Sequence, residues 1–144
     1  AVGEFPVEAV EVMNRIACAV EPSLGYRHEI PHADDVPTIG QAMSNAACDI
    51  AEALEARAIL VPTFTGRTAS AVARLRPRRP IIAVTHRAHP LEIAATDDVE
   101  DLWTRALGVA RSSGIIKAGD RVVITAGTAV NIPGSTNVIK VDIA

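Results

Sequence analysis

Three short, unbroken apolar runs, Ala58-Ile-Leu-Val61, Ile81-Ile-Ala-Val84 and Val122-Val-Ile124, constrain this chain more than any other feature. A strand with one face in water alternates apolar and polar residues. Runs without alternation belong to strands covered on both faces, which is the situation of a parallel sheet flanked by helices. The runs are far shorter than the ~18 residues that would suggest a membrane span. The strands are placed at Ala58–Val61, Pro80–Thr85 and Arg121–Thr125, and a fourth, with alternating character, at Asn137–Asp142.

Helical periodicity fills the intervals. Pro6 opens an amphipathic helix with apolar residues at Ala9, Val10, Met13, Ile16, Ala17 and Val20, ending near Glu21-Pro22. Thr38 and Gln41 form a capping-box pattern ahead of a second helix reaching about Glu55, with Ile39, Met43, Ala46, Ile50 and Leu54 on its apolar face. Thr68 to Leu75 makes a short helix that stops before Pro77. Asp97 and Glu100 start a fourth, whose face is Val99, Leu102, Trp103, Ala106, Leu107 and Ala110 and which stops at Gly114. Strand–helix–strand order of this kind defines an α/β class.

With 144 residues, one core is expected. Only 3% of residues are aromatic, so Ala, Val, Ile and Leu must fill the interior at close approach, with Trp103 as the one large anchor. Cys18 and Cys48 form no CxxC and read as small apolar residues of a reducing compartment. With no charged-then-apolar leader at Ala1, the reading is cytoplasmic. A formal charge of −3 gives no drive toward nucleic acid or membrane surfaces.

One interval is too short. Only His86-Arg-Ala-His-Pro90 separates Thr85 from Leu91, whereas a parallel crossover needs about a dozen residues. Either Pro90-Leu-Glu-Ile93 is no parallel strand, or residues are missing there.

The segment Pro62-Thr-Phe-Thr-Gly-Arg-Thr68 lies between a buried strand and a helix and carries three threonines, a glycine and an arginine. Free N–H groups of a first helical turn, the helix dipole, hydroxyls and a guanidinium suit a phosphate. Val61 stands where a Walker loop needs its first Gly, and Arg67 where it needs Lys, so this is no NTPase loop. The plain alternative is a βα turn with Thr68 as N-cap. A second loop, Thr125 to Thr136, lies at a strand end and could close over a ligand, or be an ordinary Gly/Thr turn. The Arg74, Arg76, Arg78, Arg79 run could hold a second phosphate or nucleic acid, or be a solvated helix end, which the absence of interleaved aromatics favours. His28/His32 and His86/His89 lack a third ligand at a metal-site spacing. Asp34-Asp35 and Asp97-Asp98 read as loop and cap acids rather than an acid/base couple.

The blocks Ala1–Val10, Thr63–Thr68, Arg76–Thr85, Gly119–Gly127 and Gly134–Val141, in that order over nearly the whole chain, resemble the C-terminal part of pyruvate kinase. In that family a (β/α)8 barrel transfers phosphate from phosphoenolpyruvate to ADP, and a C-terminal α/β domain carries regulation and subunit contacts. The resemblance implies that residues 1–21 are the last barrel helix, 22–37 a linker and 38–144 the α/β domain. That domain would be a three-layer, mostly parallel five-stranded sheet with helices on both faces and an antiparallel last strand. It implies an effector phosphate site at Thr63, Thr65, Gly66, Arg67 and Thr68, with Pro133, Gly134, Ser135 and Thr136 in the loop that closes over it.

Further implications follow from the same resemblance. The effector would be a sugar phosphate or AMP, and the other partners the parent barrel and further copies in a homotetramer, without nucleic acid or membrane. This chain would hold no catalytic residue, metal or cofactor, the parent's Mg or Mn and K being held by the barrel. Family members carry a helix between the segments matching Thr85 and Leu91 that is absent here. The competing readings are a free-standing α/β phosphate-binding module, and a subunit-contact module pairing through the edge of Asn137–Asp142.

Overall fold

The computed structural model describes residues 4–21, 36–85, 96, 98–127 and 136–144. The elements run α1 (Pro6–Val20), α2 (Ile39–Ala53), β1 (Ala58–Pro62), α3 (Arg67–Arg74), β2 (Ile81–Val84), α4 (Val99–Ser112), β3 (Arg121–Gly127) and β4 (Thr136–Ile143). The sheet has the order β2-β1-β3-β4. β1 is parallel to both β2 and β3, and β4 runs antiparallel to β3 with an irregularity at Ala126/Gly127.

All five residues of β1 are buried, as the unbroken apolar run requires of a strand covered on both faces. Side chains alternate between two cores. Ala58 and Leu60 join Ile82, Val84, Val122 and Ile124 beneath Ala106 and Ala110 of α4, with Leu102, Trp103 and Leu107 at the margin. Ile59 and Val61 join Val123, Val72 of α3, and Ala47 and Ala51 of α2. The helix–sheet–helix layering is thus the one expected of an α/β domain.

Among the described residues the sheet has four strands rather than five. The interval after β2 is where a fifth would fall, and residues 86–95 lie outside the described residues. The segment Pro90–Ile93 itself lies outside the described residues.

Helix ends follow local chemistry. Gln41 N–H donates to Thr38 Oγ1 at 3.3 Å and Thr38 N–H donates to Gln41 Oε1 at 2.8 Å, the reciprocal capping box that the sequence announces. α4 is capped by Asp98, whose carboxylate accepts from Glu100 N–H at 2.9 Å, one residue later than the Asp97 start expected. α2 ends in a Schellman turn, with Ala56 N–H bonded to Ala51 O and Glu55 N–H to Glu52 O. Glu55 occupies the left-handed position of that turn with φ 50°.

The α2 face is rotated from the one read from periodicity: Met43, Ala46, Ile50 and Leu54 are half-buried, with Ile50 against the core. Ser44, Ala47 and Ala51 are buried, while Ile39 is 70% exposed. Alanines let the helix axis approach a sheet of Ile and Val closely, so shape rather than bulk selects the buried stripe. Ser44 satisfies its hydroxyl within the helix by donating to Gly40 O at 2.8 Å.

At the end of the sheet where β1 and β3 begin, two arginines close exposed chain turns. Arg121 Nη1 donates to Leu54 O, the C-cap carbonyl of α2, at 2.7 Å, and Arg57 Nε donates to Ile115 O at 3.4 Å. Such bonds satisfy carbonyls that a helix end or turn leaves without a partner.

Candidate anion-binding turn

β1 delivers the chain to the site. Its ladder continues one residue past the strand, where Thr63 N–H donates to Val84 O at 2.9 Å. The chain then reverses through Phe64 and Thr65, and Gly66 N–H donates to Thr63 Oγ1 at 3.0 Å, closing the turn on itself. Gly66 is the N-cap of α3 and has φ 79°. A Cβ there would meet no atom within 4 Å, so glycine serves for its left-handed backbone rather than for space.

α3 is capped at Gly66, two residues before the Thr68 N-cap expected, and its first helical bond runs from Ser70 N–H to Gly66 O at 2.8 Å. With Gly66 at the cap, no side chain caps this N-terminus. The N–H groups of residues 67–69 therefore lack acceptors within the helix and the dipole is positive at this end. Thr65 and Arg67 are exposed, and Thr63, Gly66 and Thr68 are half-buried. Thr68 Oγ1 lies 2.7 Å from Thr136 Oγ1, so the start of β4 meets the start of α3.

Of the expected closing loop, Thr136 is described and is a buried strand residue, 7% exposed. Pro133, Gly134 and Ser135 lie outside the described residues, as do both histidine pairs, Asp34-Asp35 and Asp97. The hydroxyl link between Thr68 and Thr136 has no local sequence signal, because it joins residues 68 positions apart.

The arginine run is placed at the opposite end of α3. Arg78 and Arg79 both approach Glu52 of α2, at 3.9 and 3.4 Å, and Arg76 approaches Glu21 at 3.8 Å. Arg79 Nε is buried and close to Glu52 without the geometry of a hydrogen bond. These three guanidiniums lie beside helix-end carboxylates.

On the α4 side, the Lys140 ammonium sits 5.1 Å from the centre of the Trp103 ring and 2.8 Å from Asp142 Oδ2. The Lys140 hydrogen bond holds the Asp142 carboxyl below its ordinary range. Cys48 is half-buried on α2, and burial followed by the neighbouring Asp49 charge pushes its thiol up to about 11. A thiol held protonated is no nucleophile at neutral pH. Among the described residues no three His, Cys, Asp or Glu side chains are grouped as a metal ion would require, and no helix is long and apolar enough to cross a membrane.

A mixed, mostly parallel sheet layered between helices, with a strand-to-helix turn at the C-terminal end of β1, defines an α/β domain. Residues 41–142 match the family model of the pyruvate kinase alpha/beta domain. The chain is 36% identical to the pyruvate kinase of Methylorubrum extorquens over 155 aligned positions, covering 98% of this chain and 32% of the relative. It is 35% identical to that of Geobacillus stearothermophilus, covering 99% and 27% of the two chains. It is 36% identical to pyruvate kinase 2 of a Synechocystis strain, covering 99% and 26%. The chain belongs to the pyruvate kinase family, as its C-terminal α/β domain, and spans about a third or less of the length of these relatives.

Those alignments run over 155, 157 and 162 positions against 144 residues here. The relatives therefore carry residues within the matched region that this chain lacks, in keeping with its short interval after β2.

Proposed function

We propose that this chain is the regulatory and oligomerisation domain of a cytoplasmic pyruvate kinase, binding a phosphorylated effector at the Thr63–Thr68 turn. The parent reaction is phosphoryl transfer from phosphoenolpyruvate to ADP, with Mg or Mn and K bound in the barrel. The observation that carries the effector reading is the turn itself. Thr63 and Gly66 close it, Thr65 and Arg67 face outward, and the first turn of α3 opens into it without a side-chain cap. A sugar phosphate or AMP would be gripped by backbone N–H groups, the Thr65 and Thr68 hydroxyls and the Arg67 guanidinium.

The first helix supports the domain division. Phe5, Val10, Met13 and Ile16 of the α1 segment are 56–66% exposed, as the apolar face of a helix would be when its packing partner belongs to another part of the protein. We assign residues 1–21 to the barrel, 22–37 to the linker and 38–144 to the α/β domain. With the rest of the barrel outside it, this chain by itself turns over no phosphoenolpyruvate. Copies of the parent associate as a homotetramer, and effector binding passes a coupling energy of ~1–3 kcal/mol to the distant active site.

Thermal denaturation of the chain with inorganic phosphate, fructose 1,6-bisphosphate, glucose 6-phosphate, ribose 5-phosphate and AMP tests the effector reading. A true ligand at 100 times its Kd stabilises by about 2.7 kcal/mol. Thr65→Ala and Arg67→Ala should remove that stabilisation while leaving the unliganded melting temperature nearly unchanged. No shift with any of these ligands would sink the effector role.

A further inference from the structure

We propose that the Arg76–Glu21 ion pair is a strap that sets where α1 lies against the α/β body, and that it opens when salt or a change of charge weakens it. The inference concerns two helices of this chain and depends on no ligand at the Thr63–Thr68 turn.

Each partner stands where its own local structure disfavours it. Arg76 follows Leu75, the C-cap of α3, and takes φ 47°. In this left-handed position a Cβ crowds the following carbonyl, and glycine makes the same turn without that cost. The backbone bonds there, Leu75 N–H to Val72 O at 3.1 Å and Arg76 N–H to Ala73 O at 3.0 Å, use no side chain. What arginine adds over glycine is its guanidinium, whose Nη1 lies 3.8 Å from Glu21 Oε1.

Glu21 is the C-cap residue of α1, at the negative end of the helix dipole, and the last turn of α1 holds no basic residue to offset it. Arg76 supplies that cation from a distant part of the chain. Arg78 and Arg79 do not compete for Glu21, since they lie beside Glu52. No residue of α1 is buried, so packing leaves the orientation of this helix open to a polar contact. Both partners of the pair are more than half exposed, at 62% and 53%. A pair in that setting is weak and screened by salt, so it works as a reversible strap, shifting the ratio of docked to free α1 by up to about fivefold.

Energy transfer from Trp103, the single tryptophan, to an acceptor at the far end of α1 tests this on the full chain. The acceptor is carried by Glu8→Cys, an exposed first-turn position, in a Cys18→Ser/Cys48→Ala background. Arg76→Gln and Glu21→Gln should each change the transfer efficiency in the same sense, and the double variant no more than either alone. Arg76→Gly, which keeps the turn and relieves its backbone, should change it equally. Exchanging the charges, Glu21→Arg with Arg76→Glu, should restore it.

Raising the ionic strength from about 0.1 M to about 1 M shortens the screening length from ~10 to ~3 Å. With the pair intact this should move the efficiency to the value of the variants, and the variants themselves should not respond. Unchanged transfer in Arg76→Gln, changes that add in the double variant, or a salt response that persists in Glu21→Gln would each overturn the strap.

Discussion

The hydroxyls of Thr68 and Thr136 stand 2.7 Å apart across 68 residues of chain, joining the first turn of α3 to the first residue of β4. This bond ties the candidate turn, otherwise supported by β1 and β2, to the far strand of the sheet. Without ligand, Thr136→Val should lower stability by about 0.5–1.5 kcal/mol in urea denaturation, and Thr136→Ser by less. Equal stability of Thr136→Val and wild type would show that the bond contributes nothing to the fold.

Glu55 pays a backbone cost for ending α2. Its φ of 50° lies where a Cβ crowds the following carbonyl, and the Schellman bonds around it would form equally well with glycine. Glu55→Gly is expected to raise stability by about 1 kcal/mol, visible as a higher Tm, against the usual direction for glycine substitutions. A lower Tm would mean that unfolded-state entropy outweighs the strain.

Ala47 and Ala51 are both fully buried where α2 meets the sheet. Replacing either with Leu pushes the helix off the Ile59 and Val123 surface and should cost about 1–3 kcal/mol. Ile39→Ala, on the exposed part of the same helix, should change stability by less than about 0.5 kcal/mol. The pair of results would locate the packed stripe by equilibrium denaturation alone.

The two cysteines should separate by reactivity. Cys18 is exposed, whereas burial raises the Cys48 thiol from the ordinary 9.0 to about 11. At pH 8, iodoacetamide should modify Cys18 first and Cys48 only slowly, as mass mapping would show. Between pH 9 and 11 the unfolded state loses this proton while the folded state keeps it, so the Cys48 contribution to stability falls as pH rises. A Cys48→Ala variant should show a shallower loss over that range.

Much of the architecture was legible in the residues. The unbroken run Ala58–Val61 is a strand covered on both faces, whereas Ile81–Val84, read the same way, leaves Ala83 exposed; Thr38 with Gln41 marked a helix start through bonds made within four residues. The Pro62–Thr68 turn was recognisable because its geometry is local, depending on where β1 stops and on the left-handed conformation of Gly66. The resemblance to pyruvate kinase followed from several such local blocks in order.

The misreadings came where local rules compete with packing. The α2 stripe was placed on its larger apolar residues, of which Ile50 does pack against the core and Ile39 does not, while the fully buried positions are Ala47 and Ala51, whose small side chains allow close contact with the sheet. A fifth strand was carried over from the family, and the described residues form four.

Local chemistry, acting over a few residues, was thus written in the sequence by itself: strand and helix types, caps, and the composition of the turn. Tertiary structure alone decided that Thr136 meets Thr68 and that Arg76 lies beside Glu21 and Arg78 and Arg79 beside Glu52. Both depend on distances between residues far apart in the chain, and only the packed sheet and helices set those distances.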